Sequence, residues 1–430
     1  MSSVFYRDPG ASYPVATRGE GMYIVDDAGH RYLDMSGGAA VSCVGHGHPA
    51  VVRAVQEQAG RLSFAHTSFF TNDAQEELAE RLAKRFAEKD AKVWFTSGGS
   101  ESNESALKIA WQYWRAKGQP DKTIIISRQF SYHGGTLGAT SVSGSVFRRT
   151  PYEKVLHDWP RVAPCYAYRH QLEDETEREY GHRVAAELDE AIRMAGPENV
   201  AAFIAEPVVG ATLGVVPPVP GYFEEIRRIC DEHHVLFIAD EVMCGSGRCG
   251  AFYTHDQENV LPDMVTIAKG LGGGYQPIGA VIARNEVCET IRNDTDAFAH
   301  GHTYIGHAIA CAAGVAIQKC FDDGLLDLAQ ALRHGRTIAQ LCQDQIRMAD
   351  DADQQIVEVV RNTPGQYAEA LELLGLLHLQ FETAPFLFGS GAFGNVLRCA
   401  ENPGYPAVGV VLGAAPQCDQ TGVAIGARDG

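Results

Sequence analysis

The chain has 430 residues, 45% of them apolar, and a net charge of −18. That length accommodates two domains, or one large domain with an appended part. The negative charge argues against non-specific binding to nucleic acid or anionic membranes, and no apolar run reaches membrane-spanning length.

Glycine is abundant, at 45 residues, as expected of an α/β protein with many tight turns. Eleven cysteines occur with no C-x-x-C pair, and Cys230, Cys311 and Cys320 fall on apolar helix faces. They read as reduced thiols of a cytoplasmic protein, not as a disulfide or zinc framework. Met1–Arg7 lacks an apolar core of signal-peptide length.

Residues 18–34 alternate around a D-D-A-G turn and predict a hairpin. Ser36–Pro49 is a small-residue segment ending G-H-G-H-P. No carboxylate or cysteine cluster accompanies His46 and His48, which read as turn and packing residues. Helical spacing covers Val51–Leu62 and Asn72–Ala87, the second through Leu78, Leu82 and Phe86. Over Lys92–Trp111, V-W-F-T passes through S-G-G-S into E-S-N-E-S-A-L-K-I-A-W: a strand, a Gly-rich turn and a helix. Glu101 and Glu104 suit the positive end of the helix dipole. The backbone N–H groups of Gly99 and Ser100 at that helix start form a natural phosphate cup.

Lys122–Ser127 predicts a buried strand leading to S-Y-H-G-G-T at Ser131–Thr136. Tyr132 is placed to stack on a planar ring or to plug a loop, and His133 to line the same cavity. Residues 157–183 read as an irregular surface excursion. Val200–Pro207 is a strand ending in Glu206, and helix Gly221–His234 leads into V-L-F-I-A-D, Val235–Asp240. Strands alternate with helices from about 92 to 283, which predicts a mostly parallel sheet with crossover helices.

Open α/β sheets place ligands at the carboxyl ends of their strands, where Asp240 falls. It could bind a metal, cap a helix or pair with a protonated ring nitrogen. Downstream, Met264–Ala268 is an apolar run ending at Lys269, followed by Gly270, Gly272, Gly273 and Gly274. A desolvated lysine sheds its charge readily and attacks carbonyls. Enzymes using pyridoxal phosphate (PLP) pair such a lysine with an aspartate against the pyridinium nitrogen. Near the end of this region, Thr303 precedes a helix of small residues, as a helix cap or a phosphate ligand.

Taken together, S-G-G-S-E-S-N-E, S-Y-H-G-G-T, A-E-P, I-A-D-E-V-M-C-G-S-G-R-C-G, T-I-A-K-G-L-G-G-G-Y-Q-P-I-G-A-V and G-H-T-Y-I-G-H resemble the class III (subgroup II, ω-type) aminotransferases. They run in that family's order across roughly residues 5–340. The resemblance implies PLP-dependent fold type I. In it, a large cofactor-binding domain, 61–310, has a mostly parallel sheet with crossover helices. A small α+β domain would be built from both chain ends, 1–60 and 311–430. Lys269 then matches the lysine that forms the Schiff base and shuttles a proton, and Asp240 the partner of the ring nitrogen. Gly99 and Ser100 match the phosphate cup, Tyr132 the stacked aromatic and His133 its neighbour. Glu206 matches a glutamate near the cofactor hydroxyl, and Thr303 a threonine reaching the phosphate of the partner subunit's cofactor. That last role implies a homodimer or a dimer of dimers with shared sites. Met243 stands where the family more usually has glutamine.

The implied activity is transfer of an amino group from an amino acid or ω-amine to a 2-oxo acid such as pyruvate. An aminomutase or a dialkylglycine-type decarboxylase is the alternative on the same scaffold. The resemblance ends near residue 342. Neither the R-G-x-G-L segment nor the arginine for the substrate carboxylate, which precedes a P-P-L-like strand, follows. Residues 343–430 hold four arginines, eleven acidic residues and no lysine. A changed reading frame or a divergent lobe would each give this ending, and the expectation is a poorly packed tail in an impaired enzyme.

Overall fold

The computed structural model describes residues 2–88, 90–294 and 297–326. Contacts divide the chain into two units, Met1–Asp323 and Gly324–Gly430. All but the first three residues of the second unit lie outside the described residues, and with them the expectations for 343–430.

The first unit opens with a three-stranded antiparallel sheet, β1 Ala16–Glu20, β2 Tyr23–Asp26 and β3 Arg31–Leu33. The predicted hairpin is β2–β3. A further reversal at Gly21, which takes φ +57°, splits the upstream stretch into β1 and β2. Asp26 explains the D-D-A-G turn. Its carboxylate accepts from the backbone N–H of Ala28 (3.0 Å) and His30 (2.8 Å) and from the Tyr32 hydroxyl (2.8 Å). His46 Nε2 lies 3.0 Å from Asp34 Oδ2, and a backbone bridge joins His46 to Gly21. The histidine thus fastens its loop to this sheet.

The main sheet contains β4 Lys92–Thr96, β5 Ile124–Arg128, β6 Arg161–Val162, β7 Val200–Ala205, β8 Leu236–Asp240, β9 Met264–Ile267 and β10 Gly279–Ala283. Their spatial order is β4-β10-β9-β8-β7-β5-β6, parallel except for β10, which runs against both β4 and β9. Strands β7 to β10 are buried at every position, so they read as continuous apolar runs without alternation. The region 157–183 departs from its reading as an irregular excursion. It supplies edge strand β6 and the start of helix Glu177–Ala195, which begins with a Thr176/Glu179 capping box.

Helix Gly99–Ala116 packs on the sheet through Ala106, Leu107, Ile109 and Ala110, within a core that includes Ile204, Ile238 and Val281. Helix Ala308–Cys320 packs against helices Pro49–Arg61 and Asp73–Arg85. Its small residues permit close approach: a Cβ on Gly314 would stand 2.7 Å from Leu78 Cδ2. The cap of this helix is His307, whose side chain accepts from Ala310 N, and not Thr303, which sits in an exposed turn four residues earlier.

The sheet sets the position of the site. The carboxyl ends of parallel strands β4, β5, β7, β8 and β9 point the same way, and the residues after them converge on one cavity.

Candidate active site

That cavity has a volume of about 510 Å³. Gly99 and Ser100 after β4, Tyr132 and His133 after β5, Glu206 after β7, Asp240 at the end of β8 and Lys269 after β9 all line it. Seven of the eight residues singled out in the sequence are therefore brought together. Thr303 is the exception, exposed and absent from the lining.

Strands β8 and β9 are neighbours, with Asp240 registered opposite Thr266, three residues before Lys269. Lys269 begins a turn with φ +44°, a left-handed conformation unusual for a residue with a side chain. Burial holds its ammonium below the usual lysine value, while Asp240 and Glu206 oppose that shift.

Asp240 is 3% exposed and held from several sides. Its Oδ2 accepts from Asn103 Nδ2 and from His133 Nδ1, each at 2.7 Å, and its Oδ1 accepts from Val242 N at 3.0 Å. Thr266 Oγ1 stands 3.4 Å from Oδ1 but 2.7 Å from Asn103 Oδ1. A hydroxyl has one proton, and the shorter contact claims it. An ionised carboxylate offers about four acceptor positions, so Oδ1 keeps one for a further donor. Asn103 is the central link missed in the sequence. It also donates to the His133 carbonyl at 2.6 Å and so ties β8, β9 and the S-Y-H segment together. Its signal was its place one turn into a helix whose start had already been singled out.

Helix Gly99–Ala116 begins at the cavity with no side chain capping it. Its first N–H groups lack intrahelical acceptors and carry the positive end of the dipole. Two glycines shape this cradle. A Cβ on Gly99 would lie 2.5 Å from Val242 Cγ1, and one on Gly134, at φ +135°, would lie 2.7 Å from Ser100 Cα. Ser100 Oγ accepts from Gly135 N at 3.0 Å, which leaves its proton free to donate.

Glu206 is buried, and its Oε2 has no partner among the described residues. Burial pushes its carboxyl up to about 7, with Asp240 adding to the rise and His133 and Arg128 opposing it. The Arg128 guanidinium, itself buried, donates to the Glu206 carbonyl. Glu241, also unforeseen, accepts from Thr254 N (2.5 Å), His255 N (2.8 Å) and His255 Nδ1 (2.7 Å). It pins the loop that sets Val242 and Met243 into the cavity wall.

An uncapped helix start suits a phosphate, a carboxylate with one open acceptor position suits a protonated ring nitrogen, and a desolvated amine suits an aldehyde. These residues fit PLP. The Aminotransferase class-III family model matches residues 6–366.

The chain belongs to the class III aminotransferase family.

The match continues to residue 366, past residue 342 where the recognisable motifs end. A similar protein is an uncharacterised aminotransferase of Schizosaccharomyces pombe, 42% identical over 316 residues, covering 73% of this chain and 69% of the relative. Gamma-aminobutyrate transaminase 1, mitochondrial, of Oryza sativa subsp. japonica is 40% identical over 319 residues, covering 72% and 61%. The chain thus spans about 61 to 69% of the length of these two relatives. Among solved structures, the omega transaminase of Pseudomonas jessenii in complex with PMP is similar, with a TM-score of 0.72 and 32% identity over 76% of this chain and 74% of that one. A PLP-bound aminotransferase mutant of Vibrio fluvialis gives 0.70 and 34%, over 75% and 71%. The aminotransferase is thus a PLP-dependent enzyme with the α/β architecture of fold type I. No helix among its described residues is long and apolar enough to cross a membrane.

Proposed function

We propose that this aminotransferase moves an amino group from an amino acid or ω-amine to a 2-oxo acid such as pyruvate. The carrying observation is that Lys269 and Asp240 meet in one cavity beside an uncapped helix start. Relatives named as transaminases favour transfer over aminomutase or decarboxylase chemistry.

When bound, PLP supplies an aldehyde that exchanges amine for carbonyl and a ring that accepts an electron pair from the substrate. The protein's part is to bind, orient and move protons. Gly99 N–H, Ser100 N–H and the Ser100 hydroxyl would hold the phosphate, and Tyr132 would cover a face of the ring. Asp240, its carboxylate held by Asn103 and His133, would keep a proton on the ring nitrogen. Glu206 would lie near the ring hydroxyl, where its carboxyl, pushed up to about 7 by burial, could accept or donate a proton. Lys269, its ammonium weakened by burial, would present a free amine to the aldehyde. Displaced from that carbon by the incoming amine, its Nζ would move the proton from the substrate Cα to the former aldehyde carbon.

Thr303 acts in this reading on the partner subunit's cofactor, within a homodimer or a dimer of dimers. Its exposure supports that role, as do the exposed aromatics near it. Tyr304 is 59% exposed and packs on Phe64 (5.5 Å between centroids), and Phe69 and Phe70 lie on the loop beyond. The domain division, with 1–60 and 311–430 sharing a small domain around 61–310, belongs to the same reading. The test is to supply pyruvate with a panel of amino donors and assay alanine and carbon dioxide in the same tubes. Alanine without carbon dioxide supports transfer; carbon dioxide in step with consumed donor would replace it with decarboxylation.

A further inference from the structure

Arg148 and Arg149 end the short helix Val146–Arg149, yet they do different work. Arg149 Nη1 donates to the carbonyls of Thr140 (2.9 Å), Ser141 (2.6 Å) and Ser143 (3.3 Å), so it caps the end of helix Leu137–Val142. Arg148 is exposed and forms no ion pair with a carboxylate among the described residues. Its guanidinium carbon instead stands 4.4 Å from the centroid of the Tyr132 ring, which lines the cavity.

The cavity wall makes that placement informative. Its carboxylates are Asp240 and Glu206, and its one amine, Lys269, is taken up by the chemistry; no arginine among the described residues lines it. A substrate carboxylate entering there would meet like charge unless a cation stood at the rim. A guanidinium offers a planar fork that matches a carboxylate, and stacking on Tyr132 holds that fork in place before the substrate arrives. Arg248 is the rival. It too is exposed and without a carboxylate partner among the described residues, and its charge is felt at Cys43 and Lys269. No aromatic ring of the cavity wall carries it.

We propose that Arg148 is the receptor for the substrate carboxylate, so that the preferred substrates are 2-oxo acids and amino acids. This rests on the transaminase reading of the cavity. The test compares wild-type holoenzyme with R148Q, R148K and R248Q. Steady-state rates are measured with pyruvate as acceptor and a neutral arylalkylamine as donor. Binding of propanoate, a carboxylate that cannot react, is measured by calorimetry at low and high salt. R148Q is expected to raise KM for pyruvate and Kd for propanoate about 10- to 100-fold, with kcat and the KM for the amine within about twofold. R148K should recover part of the loss, and added salt should shrink the difference between wild type and variant. Unchanged propanoate binding in R148Q, equal losses for amine and pyruvate, or the whole effect appearing in R248Q would each overturn the proposal. Absence of turnover in wild type would strike the transaminase reading alone, because the propanoate titration still decides for or against Arg148.

Discussion

Glu206→Gln separates the cost of the cavity's electrostatics from its chemistry. In the unfolded chain a glutamate carboxyl ionises near 4.5, whereas buried Glu206 holds its proton up to about 7. Below 4.5 both states are protonated and the group contributes nothing to the pH dependence. Between 4.5 and 7 the unfolded chain has released its proton and the folded chain has not, so stability falls as pH rises. Above 7 the deficit is constant. At about 1.4 kcal/mol per pH unit, the rise from 4.5 to about 7 amounts to about 3 kcal/mol. Glutamine fills the same space without a charge. Cofactor-free E206Q should therefore match cofactor-free wild type at pH 4.5 and exceed it by up to about 3 kcal/mol at pH 8, read as a few degrees in thermal midpoint. Its transamination rate should nevertheless fall, because the amide cannot exchange a proton at the ring hydroxyl. A stability difference that stays the same from pH 4.5 to 8 would refute the reasoning, since only an ionising group gives that pH dependence.

Other substitutions probe the remaining parts of the site. Asp240→Asn should leave the fold intact and lower the half-reaction rate at least about 100-fold, because a neutral amide no longer holds the ring nitrogen protonated; near-normal stopped-flow rates would remove Asp240 from this role. Asn103→Ala strips a donor from Asp240 Oδ2 and from the His133 carbonyl. A loss of about 1–3 kcal/mol in stability and faster escape of PLP on dialysis are expected. Thr303→Ala should weaken PLP retention and subunit association together, as linked equilibria; a monomer by ultracentrifugation that still saturates with PLP would contradict the shared site.

Much of this was legible in the sequence because strand ends in a parallel sheet carry their own signal. V-L-F-I-A-D shows both the burial of β8 and the one polar residue at its carboxyl end, Asp240. The same logic located Glu206 and Lys269. Helix starts were equally readable: Asn72 accepts from Gln75 N at 2.9 Å where the pattern placed a boundary. Links between distant segments were not. Asn103, Thr266 and Asp240 meet only through the order of β8, β9 and helix Gly99–Ala116, and spacing along the chain does not encode that order. The antiparallel direction of β10 was hidden for a similar reason, since a strand buried on both faces has the same composition either way. The reading of 157–183 as irregular failed because polar residues dominate the exposed side of helix Glu177–Ala195, where only Tyr180, Gly181, Val184, Ala185, Leu188 and Ile192 face inward. Thr303 before a helix suggested a cap, but His307 lies closer to the first turn and takes that place.

In the proposed reaction Lys269 is the amine that meets the cofactor. Reducing the PLP-loaded protein with borohydride fixes the cofactor to whichever lysine holds it, and peptide mass spectrometry then identifies that residue. A pyridoxyl group is expected on Lys269 alone, together with loss of both the label and turnover in Lys269→Ala. A label on any other lysine, or a labelled and active Lys269→Ala, would contradict that role.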